Sequence, residues 1–250
     1  MAIGVHAAVA DAGVIFSEDF ESLTDGNLVG QGGWTGDAVN LSSSGTHLGT
    51  RVSNGLQFVG PSTQHATLHA LALPTTGRVV VDFDAFAITT TSPRSHNSGL
   101  LVTAPVAPGG SQLFAGWFNN SFATDGPKWT FEETLSGNAL FAFGGHDEPV
   151  SLAIVLDYDN NEIFGRYDFG SGVMETTKVS VSAADLQALN SLTIANDFRG
   201  TLGVELDNIT VNSVASAVPE PSSLVLLGIG TLCLIGYRRK RRQTIIVSDN

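Results

Sequence analysis

The chain has 250 residues, with 12 Lys and Arg against 24 Asp and Glu and a formal net charge of −12; that length suits one globular domain with terminal segments. Five of the cations are consecutive at 238–242, so residues 1–217 hold seven Lys and Arg against twenty-two Asp and Glu, a balance of −15. Such a body is repelled by nucleic acid and by anionic lipid, which excludes both as its partners, and the single cysteine, Cys233, lies beyond it, which excludes disulfide and thiolate chemistry there.

At the start of the chain, Met1 to Ala10 is small and apolar, and Ala8-Val9-Ala10 before Asp11 has the form of a signal-peptidase site. A complete signal needs a basic start, yet the first cation is Arg51, so residues 1–13 read as the remnant of a truncated signal peptide. From 14 to 213, apolar segments of strand length recur between clusters of Gly, Asn, Asp, Ser and Pro. The predicted strands are Val14–Phe20, Gly55–Val59, His65–Leu73, Gly77–Ile88, Gly99–Val102, Leu113–Asn119, Lys128–Thr134, Val150–Asp157, Glu162–Phe169, Val173–Val179, Leu192–Asn196 and Leu202–Asn212. So many short strands without long helical periods predict an all-β body, two antiparallel sheets packed as a jelly-roll sandwich. Val79, Val81 and Phe83 alternate with Val80, Asp82 and Asp84, which predicts one buried and one wetted face.

Asp157, Asp159 and Asn161 match the first ligand positions of a calcium-binding EF-hand loop, but Glu162 stands where Gly is needed and Asp168 where Glu is needed. Apolar strands flank the segment, so a hairpin turn built on Asp and Asn is the simpler reading. The one helix is predicted over Ala183 to Leu189, with Ser182 as N-cap and Asp185 as the acid of a capping box. In the last strand Leu202, Val204 and Leu206 share one phase whereas Ile209 and Val211 take the other. A β-bulge near Asp207-Asn208 would bury both sets and re-aim the Asp207 side chain.

The chain then changes character. A Pro-bracketed linker at 214–223 cannot continue the strand, and it leads into an apolar run from Leu224 to Tyr237 stopped by Arg238, Arg239, Lys240, Arg241 and Arg242. Ser222 to Tyr237 would span about 24 Å as a helix against roughly 30 Å of bilayer hydrocarbon, so a single transmembrane helix over 224–237 works with thinning or snorkelling. The basic cluster places the tail, 238–250, in the cytoplasm and the body outside. A buried core helix with a solvated basic tail is the other reading, uncommon in a body of strands.

Val-Pro-Glu-Pro-Ser-Ser, a short hydrophobic helix and an Arg-rich end together resemble the PEP-CTERM sorting signal of Gram-negative bacteria. The resemblance implies export, an inner-membrane-anchored precursor, recognition of Pro219, Glu220 and Pro221 by an exosortase-type membrane protease, and delivery to the cell surface or extracellular matrix. The tail from Gln243 to Asn250 departs from the family, whose members end soon after the basic cluster.

Phe16-Ser17-Glu18-Asp19-Phe20-Glu21, Gly30-Gln31-Gly32-Gly33-Trp34 and Val204-Glu205-Leu206-Asp207 resemble concanavalin-like (LamG-type) and carbohydrate-binding jelly rolls. That resemblance implies first and last strands side by side and an acidic pair holding a structural calcium. With the bulge at Asp207, it makes Glu18, Glu21 and Asp207 the calcium candidates, a solvated acidic strand end being the alternative.

Catalytic signatures are missing: there is no nucleophile elbow, Walker loop, dinucleotide fingerprint or His-Glu-x-x-His. His65 and His69 would lie about 13 Å apart in a strand, too far to share a zinc. Some jelly-roll glycosidases carry, by resemblance, Glu-x-Asp-x-x-Glu, but here Thr210 replaces the second Glu of the Glu205 segment. Glu132 and Glu133 are adjacent and point to opposite faces, so they cannot flank one glycosidic bond, and Asp147-Glu148 reads as a solvated loop. The sequence therefore predicts a non-catalytic structural or adhesive module; the alternative is a carbohydrate-binding module of the surface or exopolysaccharide matrix, with Trp117 or Trp129 available to stack sugars if exposed.

Overall fold

The computed structural model describes residues 13–36, 40–42, 51–53, 64–68, 71–88, 97–105, 113–120, 128–136, 139–141, 149–196 and 203–214. The predicted strand Gly55–Val59, Ala8–Ala10, His69, Asp147-Glu148, and the linker motif, span and basic cluster at 219–242 lie outside these residues.

The strands are β1 (Gly13–Glu18), β2 (Gly26–Asn27), β3 (Thr35–Gly36), β4 (Asn40–Ser42), β5 (Arg51–Ser53), β6 (Gln64–Leu68), β7 (Arg78–Ile88), β8 (Asn97–Thr103), β9 (Phe114–Asn120), β10 (Lys128–Glu133), β11 (Ala139–Phe141), β12 (Val150–Asp157), β13 (Glu162–Asp168), β14 (Met174–Glu175), β15 (Val179–Ser180), β16 (Ser191–Asn196) and β17 (Gly203–Val214). One sheet has ten strands, ordered β14-β13-β12-β7-β17-β5-β4-β2 with β1 added to β17 and β15 to β13; the other has seven, ordered β11-β10-β9-β8-β16-β6-β3. Every described pairing is antiparallel. The first and last strands are neighbours, β1 running along β17 from Gly13 opposite Ser213 to Glu18 opposite Ile209.

Between the sheets lies one core, in which Val81 and Phe83 of β7, Ile154 of β12 and Val211 of β17 meet Trp117, Trp129, Phe131 and Ile194 of the other sheet. Trp117 bonds one sheet to the other: its indole N–H donates to the carbonyl of Ala153 at 2.8 Å, and its ring stands edge-on to Phe131 and Tyr167. Those rings fill the space above Gly165, where a Cβ would come within 2.5 Å of Trp117 Cζ2 and 2.8 Å of Phe131 Cδ2.

The predicted bulge is present. Register between β7 and β17 shifts between Asp207 and Thr210, Asn208 takes φ 51°, and Leu206, Ile209 and Val211 are all buried as a result. The hairpin reading of Asp157 to Glu162 also holds: these two residues pair across it, and Asp157 accepts from Arg78 Nε at 2.6 Å and from the backbone and side-chain nitrogens of Asn160. The helix α1 (Ala183–Ala188) is capped by Ser182, whose hydroxyl accepts from the Asp185 N–H.

Two expectations need correction. Val173–Val179 is not one strand: Met174 and Glu175 pair with Tyr167 and Arg166, while Val179 and Ser180 pair with Ile163 and Glu162. Between them the Thr176 hydroxyl takes the Gly165 N–H in place of a backbone carbonyl, so the ladder breaks there. The outer face of β7 is not uniformly wet either, since Val80 packs with Ala153, Val155 and Phe164 in a second apolar cluster on that side, and Phe86 is buried too.

Candidate functional site

On the ten-stranded sheet, register sets side chains into two rows on the face away from the core. Asp84 of β7 lies opposite Ser151 of β12, which lies opposite Asp168 of β13; two residues along, Asp82 lies opposite Ala153, which lies opposite Arg166. β17 extends both rows, with Asp207 opposite Asp84 and Thr210 opposite Asp82. Ser151 and Ala153 are small, so the middle strand forms a depression between taller charged neighbours. The result is a groove of about 390 Å³, lined by Asp82, Asp84, Ser151, Arg166, Asp168 and Asn208 with Val173 beside them. Its size is at the small end of ligand clefts, roughly 300–1,000 Å³.

Hydrogen bonds and ion pairs hold several of the groove's side chains in place. Asp84 is held through both oxygens, accepting from Ser151 Oγ at 2.7 Å and from Asn208 Nδ2 at 3.0 Å. Arg166 directs its Nε to Glu175 at 3.0 Å, and Lys178 approaches the same carboxylate. Asp168 accepts the N–H groups of Gly170 and Gly172 on one oxygen. Asp82 is the least engaged, with a long 3.5 Å contact from Asn212 Nδ2. Desolvation raises its carboxyl pKa, against the Asn212 hydrogen bond and the Arg166 charge, and the Asp84 charge adds to the rise.

The predicted calcium residues occupy the neighbouring end of this sheet. Desolvation raises the Asp207 carboxyl, the Asn208 N–H pulls it back, and the charges of Glu21, Asp84 and Asp19 push it up again, so Glu21 and Asp207 lie in each other's field. Glu18 instead turns to its own loop, accepting from the Phe20 N–H at 2.8 Å. Among the described residues no three His, Cys, Asp or Glu side chains converge closely enough to hold a metal ion.

All three tryptophans are in the core: Trp34, Trp117 and Trp129 are at most 1% exposed, so none forms a stacking platform for sugars. Glu132 and Glu133 part as predicted. Glu133 is buried and binds Ser136, whereas Glu132 is on the other face of β10 and its carboxyl pKa is raised by desolvation. His65 pairs with Ala195 in the seven-stranded sheet.

Of the groove residues, Asp82 and Asp84 were marked in the sequence as the wet phase of their strand, Asn208 as part of the bulge, and Asp168 as the last position of the rejected calcium loop. No local signal brought Ser151, Arg166 and Asp168 together, because their meeting depends on which strands are neighbours.

A family model described as the PEP-CTERM protein-sorting motif matches residues 217–242. The chain carries a PEP-CTERM sorting signal. The fold of its body is similar to that of solved lectins and carbohydrate-active enzymes. A carbohydrate esterase from the Shiga toxin-encoding bacteriophage phi24B is similar in structure at TM-score 0.53 and 14% identity, over 82% of this chain and 100% of that one. A GH131 beta-glucanase catalytic domain from Podospora anserina is similar at 0.52 and 12%, over 82% and 99%. Lectin I from Ulex europaeus is similar at 0.51 and 11%, over 82% and 99%. Comparison with curated proteins gives no match. At these identities the likeness is one of fold. Among the described residues no helix is long and apolar enough to cross a membrane, and 224–237 lies outside them.

Proposed function

We propose that this PEP-CTERM protein is exported, processed at Pro219-Glu220-Pro221 by an exosortase-type membrane protease, and delivered to the cell surface or matrix, where its jelly-roll body binds carbohydrate without catalysis. The observation that carries the binding role is the groove on the ten-stranded sheet: polar side chains from four strands converge on one depression, each held by a neighbour. Fixed carboxylates and amides beside a small apolar surface suit the hydroxyl-rich, partly apolar faces of a sugar. Lectins and carbohydrate-active enzymes among the structural neighbours support this reading. Non-catalysis is favoured by Asp84, whose two oxygens are both engaged, and by the separation of Glu132 from Glu133 onto opposite faces.

Binding is tested by calorimetry of the full chain, in a detergent without a sugar headgroup, against a panel of neutral, anionic and amino-sugar oligomers. Loss of binding in Asn208→Ala with an intact fold is the expected result; binding to none of the panel refutes the role. Release of reducing ends from any of these oligomers refutes non-catalysis. A structural calcium at Glu18, Glu21 and Asp207 is a further proposal that requires these side chains to re-aim, Glu18 leaving the Phe20 N–H, because they do not converge as they stand; the repulsion of Glu21 on Asp207, which a divalent cation would relieve, supports it.

A further inference from the structure

With all three indoles in the core, a ring on the groove's own face of the ten-stranded sheet is that of Phe164 in β13. Phe164 stands two residues before Arg166, so both side chains take the outward face, and its ring packs with Val80, Ala153 and Val155. Ala153 also lines the groove, so this apolar cluster adjoins it. What lies over the ring is charged. Lys178 Nζ is 4.7 Å and Arg166 Cζ 5.6 Å from its centroid, and both cations share the carboxylate of Glu175. The two are not held alike. Arg166 gives its Nε hydrogen to Glu175 at 3.0 Å, whereas Lys178 approaches at 3.7 Å, too far for a hydrogen bond, with 43% of its side chain exposed. Lys178 also comes from the stretch between β14 and β15 in which the ladder is broken. An exposed ammonium over a ring and an exposed ion pair are both weak contacts, because water competes for the charge, and exposed side chains change rotamer within nanoseconds.

We propose that Phe164 is a covered stacking subsite of the groove, taken by the C–H face of a pyranose when it displaces Lys178; this rests on the carbohydrate reading above. The ring exchanges one partner for another. Its negative face attracts the ammonium in the free protein and the weakly positive C–H groups of the sugar in the complex. The displaced ammonium returns to water, so the exchange buries no charge. Arg166 remains with Glu175 between ring and groove, and its other N–H groups are donors for the sugar's hydroxyls. Stacking on Phe164 and hydrogen bonding in the groove thus engage the face and the edge of one sugar.

The test uses the full chain in a polyoxyethylene detergent with three neutral probes: cellohexaose, N-acetylchitohexaose and mannohexaose. By NMR, the ε-methylene protons of Lys178, assigned by their loss in Lys178→Ala, should be shifted upfield by the ring in the free protein and lose that shift when a probe saturates the groove. By calorimetry, Lys178→Ala should bind the same probe about two- to fivefold tighter, the factor that an exposed cation–π contact is worth. The gain should vanish when Phe164→Leu, which keeps an apolar side chain but removes the π face, is added. A thermal melt shows whether Phe164→Leu is folded; Lys178 is exposed, so its two measurements stand without that variant. Unchanged or weaker binding by Lys178→Ala, an upfield shift that persists in the complex, or a gain that survives Phe164→Leu overturns the subsite and leaves carbohydrate binding standing. Binding of none of the three probes overturns both.

Discussion

Replacing Gly165 by Ala adds one methyl group where rings of the opposing sheet press on the backbone of β13. The new Cβ would stand 2.5 Å from Trp117 Cζ2 and 2.8 Å from Phe131 Cδ2, about 1 Å inside ordinary contact. Neither ring has an easy escape, since Trp117 is held by its hydrogen bond to the Ala153 carbonyl and by edge-on contacts with Phe131 and Tyr167. Overpacking of this kind costs about 1–3 kcal/mol, and two obstructed rings put it at the upper end. Against it works the smaller entropy of the unfolded chain, about 0.4–1 kcal/mol in favour of Ala. The net expectation is a loss of about 2 kcal/mol, which for a body of this size lowers Tm by roughly 4–8 °C. Gly170→Ala is the control: its φ of +85° makes Ala strained, yet no atom lies within 4 Å of the added Cβ, so the cost of about 1 kcal/mol is conformational alone. Urea denaturation followed by tryptophan fluorescence measures both, with all three indoles reporting from the core. Strand β13 carries Arg166 and Asp168 beside Gly165, so sugar affinity should also fall in Gly165→Ala. A Gly165→Ala protein as stable as the parent would refute the packing argument.

Three further outcomes are expected. The native carboxyls of Asp82, Asp207 and Glu132 titrate above their ordinary values of 3.8, 3.8 and 4.5, so the folded chain holds more protons than the unfolded one just above those values and stability falls as pH rises through that window. For Asp157 burial is outweighed by the Asn160 hydrogen bonds and the Arg78 pair, its carboxyl lies below 3.8, and its stabilisation is lost only as pH falls through that depressed value. Stability should therefore fall less steeply in Asp82→Asn than in the parent as pH rises above the ordinary carboxylate range; the same pH profile in both would contradict this. In the native host, Glu220→Ala should retain the 238–242 basic end by mass spectrometry while the parent loses it; equal retention means the motif is not being read. Millimolar calcium should raise Tm relative to chelator, by an amount set by the ratio of free metal to Kd, and less so in Asp207→Asn; identical melts with and without metal remove the calcium proposal.

The sequence alone was sufficient wherever the physics is local or linear. The sorting signal is a string of Pro, Glu, apolar residues and Arg that acts through its order, so it is legible without any fold. Alternation in β7 and the phase change at Asp207 reported strand and bulge, because the pleat obliges each residue to choose a face. Tertiary structure decided the rest. Asp84 meets Ser151 67 residues away and Asn208 124 residues away, and it does so only because β17, β7 and β12 are neighbours in the sheet. No periodicity encodes that order. The fate of the tryptophans was equally non-local: composition made the core their default and sugar stacking the alternative, and burial of Trp117 and Trp129 against Gly165 and the opposing sheet decided for the core. The groove exists because small residues on one strand lie between charged residues on its neighbours, a property of strand adjacency and of no single segment of the chain.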